Sequence, residues 1–94
     1  MILSMAHAEV TEADRDNLIG EWSDLVVGDR PSGLVSAYLI HDGPYVRVAA
    51  VWRDVEAHDA AIAEEGAHPA FRVFEAAGAD PEHSVMSIVG SFGI

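Results

Sequence analysis

The chain has 94 residues, half of them apolar, no cysteine and a formal net charge of −11. That length supports one small domain, residues 1–94, which buries only about two thirds of its unfolded surface. Without thiols there is no disulfide framework and no thiolate metal site, and sixteen Asp and Glu against five Arg repel nucleic acid phosphates and anionic membranes.

No stretch approaches the ~18 unbroken apolar residues that cross a bilayer. The opening MILSMAHAEV lacks the basic n-region of a signal peptide, so a soluble cytoplasmic protein is expected.

Residues 2–9 form a plausible first strand. Thr11 then precedes acidic residues and Asp14, a weaker variant of the capping box at a helix start, where the helix dipole favours negative charge. Leu18, Trp22, Leu25 and Val26 follow at spacings of three and four, which predicts an amphipathic helix ending before Gly28. GDRPSG reads as a loop and GLVSAYLI as a second strand. His41-Asp42-Gly43-Pro44 is a hairpin signal, because Asp-Gly tolerates the positive φ of tight turns, and it leads into the strand YVRVAAVW.

Asp54 can cap the next helix, which Gly66 and Pro69 interrupt around His68 before a second piece carrying Phe71 and Phe74. The Gly78 to Pro81 turn leads to a last strand read across HSVMSIVGSF. The order is β-α-β-β-α-β, an α+β ferredoxin-like arrangement with a four-stranded antiparallel sheet. Right-handed crossovers place both helices on one face of that sheet.

The third strand is apolar on both sides, with Val46, Val48, Ala50 and Trp52 on one face and Tyr45, Arg47, Ala49 and Val51 on the other. Helices cover one face only. A homodimer with the two sheets face to face is the expected cover for the other.

The Gly33-Leu34-Val35 strand start, the strand ending Val51-Trp52-Arg53-Asp54, the helix opening Val55-Glu56-Ala57-His58 and the run His68-Pro69-Ala70-Phe71 resemble the antibiotic biosynthesis monooxygenase domain. That family belongs to the dimeric α+β barrel superfamily. The resemblance spans nearly the whole chain in element order. It implies a homodimeric barrel with a ligand cleft between sheet and helices in each subunit. Well-known members oxygenate polycyclic phenols to quinones without metal or flavin, and relatives degrade haem.

Cofactor-free oxygenation requires that an electron-rich phenol lose a proton, that its anion reduce dioxygen, and that an apolar site exclude water. The resemblance therefore implies no cofactor, with dioxygen as co-substrate. Trp52 with Val48 and Ala50 would form an aromatic wall, closed by Trp22, Phe71 and Phe74. His68 and His58 are candidate proton acceptors or donors, and Arg72 could hold a phenolate or superoxide-like anion.

Each has a structural alternative. Trp52 can be a core anchor, His68 can cap the helix break, His58 can lie solvated in the first turn, and Arg72 can pair with Glu75 or Glu65. Phe71 and Phe74 are expected in the core either way.

The aromatic-polyketide oxygenases carry an Asn where this chain has Val48. The haem-degrading branch uses an Asn where Ala6 or His7 stands and a Trp where Ala61 stands, which disfavours haem. The five histidines lack a metal-ligand spacing, and no phosphate loop or nucleophile elbow occurs. The expected function is cofactor-independent oxidation of a phenolic or quinol-type aromatic, with a non-catalytic small-molecule-binding or interaction module as the alternative.

Overall fold

The computed structural model describes residues 1–66 and 70–93. Seven elements follow in order: β1 (Ile2–Glu9), α1 (Glu12–Val26), β2 (Leu34–Asp42), β3 (Tyr45–Trp52), α2 (Val55–Glu65), α3 (Phe71–Ala76) and β4 (Glu82–Ser87). The strands form one antiparallel sheet in the order β2-β3-β1-β4, the ferredoxin-like arrangement.

The helix starts are those written in the sequence. The Thr11 side chain accepts from the Asp14 N–H, and Asp54 accepts from the Ala57 N–H at 2.8 Å, so each cap satisfies an N–H that the first helical turn leaves without a partner. Gly66 ends α2 with φ at +76°, the left-handed geometry that glycine supplies without a Cβ penalty.

Cross-strand registers set the two faces. Ile2 lies opposite Trp52, Ser4 opposite Ala50 and Ala6 opposite Val48, and all six are buried beneath the helices. β2 joins this pattern through a register irregularity. Leu34 pairs with Trp52 but Ser36 pairs with Val51, so one extra residue bulges out at Val35 and both Leu34 and Ala37 reach the helix side.

The helix-side core falls into two clusters. The larger joins Leu18 of α1 and Val73 and Phe74 of α3 to Ala6, Val46 and Val48, with Trp22, Leu25 and Phe71 packed on its edge. The smaller joins Ile2, Ala50 and Trp52 to Ala57 and Ala61 of α2, with Leu34 and Ala37 at its border.

On the far side of the sheet, Tyr38, Ile40, Tyr45 and Met86 are each roughly half exposed. The sequence expectation placed strand through Phe92, yet β4 stops at Ser87. The reason is partner supply: Ser87 already faces Ile2 at the start of β1, and one further bond, Ile88 N–H to the Met1 carbonyl at 3.1 Å, exhausts the edge. Beyond it Val89 and Phe92 stand fully in solvent.

Candidate functional site

Between the two core clusters the helix side of the sheet opens into a cleft of 250 Å³. Its floor is Val48 and Ala50, side chains too small to fill the space between helices and sheet. One wall is Trp52 with Leu34 and Ala37; the other is Trp22 and Leu25 from the last turns of α1. The polar groups are Asp29, Arg30, Glu65 and Ser36.

The wall at Trp52 is fixed. Trp52 is 2% exposed, and its Nε1–H donates to the Ser4 Oγ at 2.9 Å, a buried hydrogen bond between β3 and β1. The His58 ring meets the indole edge-on at a centroid distance of 5.6 Å. An indole held by a buried hydrogen bond and an edge contact keeps one orientation, which a ligand wall needs.

Beyond Trp52 lies a second aromatic group. His58 is 3% exposed, so it lies inside the fold and not in solvent at the start of its helix. Its Nδ1 is 3.0 Å from the Asp59 carboxylate, and its ring stacks on His83 of β4 at 5.7 Å with an interplanar angle of 9°. Phe71 meets His83 edge-on at 5.8 Å. Pressed between these rings, the His83 imidazole is held below the usual histidine range, first by loss of solvation and second by the charge of His58.

Of the residues singled out in the sequence, Trp22, Val48, Ala50 and Trp52 come together in the cleft. The others take different places. Phe74 is fully buried in the larger core cluster, Phe71 packs on its border, and His58 lies behind Trp52. Arg72 is exposed on α3 and pairs with Glu21 of α1 at 3.3 Å, where the sequence offered Glu75 or Glu65 as partners. His68 lies outside the described residues.

Sequence reasoning missed Ser4, Leu34 and His83. Ser4 was legible in principle as the polar member of an otherwise apolar inward set, Ile2, Ala6 and Ala8. His83 was not, because its neighbours come from α2 and α3. Among the described residues no group of three or more His, Asp or Glu side chains is placed to hold a metal ion, and no helix is long and apolar enough to cross a membrane.

Neither a family profile nor a characterised protein sequence matches the chain. Solved structures do match its fold. The chain superposes on Rv0793 from Mycobacterium tuberculosis with a TM-score of 0.73 at 13% identity, covering 98% of both chains. SnoaB from Streptomyces nogalater, described as a cofactor-independent oxygenase, gives 0.69 at 19% identity over 96% of this chain and 94% of its own. A candidate antibiotic biosynthesis monooxygenase from Deinococcus radiodurans gives 0.69 at 14% identity over 100% and 98%. The resemblance read from the sequence thus extends to the whole fold, which this chain shares with the antibiotic biosynthesis monooxygenase structures.

Proposed function

We propose that this chain is a single-domain, cytoplasmic homodimer that binds a phenolic or quinol-type aromatic in its cleft and oxidises it with dioxygen, using no metal or organic cofactor. The observation that carries this reading is the cleft itself. Both Trp22 and Trp52 line it over a floor of small apolar residues, with polar groups gathered among the linings from the 28–31 loop and the end of α2. Such a site holds a flat ring by its faces and keeps water from it.

The overall reaction balances without help from the protein. A hydroxyarene gives up its hydroxyl proton, its anion passes an electron to dioxygen, and the carbon–oxygen bond that forms leaves a quinone and one water. The chain's share is to position the ring, shield it, and accept the proton. Trp52 sets the ring plane. His68 and Arg72 complete the proposed catalytic set, and Arg72 must leave Glu21 to reach an anion. The fold shared with SnoaB supports the oxygenase reading.

A non-catalytic binding module is the second reading. Val48 favours it, because the cleft floor presents no polar side chain to the ring. Haem turnover is disfavoured, since a porphyrin exceeds what this cleft holds.

Purified protein incubated with 1-naphthol under air will show accelerated quinone absorbance and oxygen uptake, both reduced in Trp52→Ala and His68→Ala. Rates unchanged in the two variants with ligand binding intact would support the binding module instead. The half-exposed apolar side chains Tyr38, Ile40, Tyr45 and Met86, spread over the far face of the sheet, support the dimer. Light scattering at micromolar concentration will give about twice the 10.0 kDa chain mass, and a clean monomer contradicts it.

A further inference from the structure

We propose that the cleft is built for a two-ring hydroxyarene, excluding larger polycyclic phenols, and that Trp22 sets this limit. The inference rests on the binding part of the reading above and deepens it. At 250 Å³ the cleft falls below the roughly 300 to 1,000 Å³ that houses drug-sized ligands.

It cannot widen on three of its sides. Val48 and Ala50 are backbone-paired residues of a central strand, 4% and 5% exposed. Trp52 is tied to Ser4 and backed by His58, so turning it breaks a buried hydrogen bond. Leu34 is set by the β2 irregularity directly opposite Trp52. Trp22 is the exception. It is half-buried and held by packing on the edge of the larger core cluster, with no hydrogen bond to its indole among the described residues, so truncating it opens this side without breaking a polar contact.

The charged linings decide which end of the ligand enters first. Among the described linings the charged groups Asp29, Arg30 and Glu65 are all exposed, while the Trp52 N–H is already donated to Ser4 and Ser36 is the one neutral polar side chain. A bound ring therefore buries its unsubstituted end and keeps its hydroxyl at the charged side. The ligand class is a naphthalene-sized arene hydroxylated on one ring only.

Both tryptophans of the chain line the cleft, so indole quenching, corrected for ligand absorption, reports binding whether or not turnover follows. Phenol, 1-naphthol and 9-phenanthrol are the probes. Burial of apolar area alone ranks them by size, with phenanthrol tightest. The cleft predicts instead that 1-naphthol binds at least tenfold more tightly than 9-phenanthrol, and that Trp22→Ala, read through Trp52, reverses that order.

Leu25→Ala opens the same wall and serves if Trp22→Ala does not fold. Phenanthrol binding as tightly as naphthol to the unaltered protein overturns the proposal. So does a variant that weakens both ligands equally. The predicted order without oxygen uptake sustains the size limit and refutes oxygenation, so the two failures are distinguishable.

Discussion

Gly33 offers a sharp test of how the cleft is framed. It adopts φ of +83°, and a methyl group at its Cα would collide with the Cβ of Ala57, a buried residue in the first turn of α2. Ala57 cannot retreat, since its N–H is bonded to the Asp54 cap, while the Gly33 carbonyl is held by the Arg53 N–H at 2.8 Å.

Gly33→Ala therefore carries two costs. Left-handed backbone with a Cβ costs about 1–2 kcal/mol, and overpacking at a buried contact costs about 1–3 kcal/mol more. A total of roughly 2–5 kcal/mol is a large share of the ~5–14 kcal/mol expected for a domain of this size. At roughly 4–8 °C per kcal/mol, the melting temperature falls by about 10 °C or more.

Gly43 supplies the control, having φ of +58° with nothing within 4 Å of a built Cβ. Gly43→Ala meets the backbone strain alone, and the gain from a less flexible unfolded chain is common to both variants. Urea titrations followed by circular dichroism at one protein concentration give the difference. Equal midpoints for the two variants would refute the claim that the loop before β2 is wedged against α2.

Two further outcomes follow from Ser4 and His83, the groups set around Trp52 and His58. Ser4→Ala leaves the Trp52 N–H without its acceptor in a site of almost no exposure, and will lower stability by about 1–3 kcal/mol in urea titration; an unchanged midpoint contradicts the tether. His83 titrates below its ordinary 6.5, so just under that pH the folded chain binds fewer protons than the unfolded one. Stability therefore rises with pH through the window and is lost as pH falls below 6.5. His83→Asn will flatten that part of a series of urea midpoints, and an unchanged slope would place the effect elsewhere.

Most of the frame was legible because local chemistry decided it. Thr11 and Asp54 are capping residues followed by helical spacing, Asp42-Gly43 is a tight-turn pair, and Gly66 stops a helix by its backbone freedom. The end of β4 was not legible, because Ile88 to Phe92 has the composition of a strand and only the length of β1 decides whether it finds a partner.

The cleft was half legible. Trp52, Val48 and Ala50 share a face by simple alternation, and Trp22 lies on the apolar stripe of α1. Leu34 and the 28–31 loop join them only through tertiary contacts and a one-residue irregularity that no periodicity announces. Arg72 was misdirected for a similar reason: its nearest carboxylate in sequence is Glu75, but α3 packs against α1 and brings Glu21 to it.

The displaced residue at Val35 has a bearing on how such a protein could diversify. β2 is an edge strand, so a single neighbour has to tolerate the irregularity, and the hairpin beyond it stays in register down to the Asp42–Tyr45 pair. Gaining or losing one residue there would reshape the entrance wall while leaving the central strands untouched. The shape of the cleft is thereby free to drift in this scaffold without renegotiating how the chain folds.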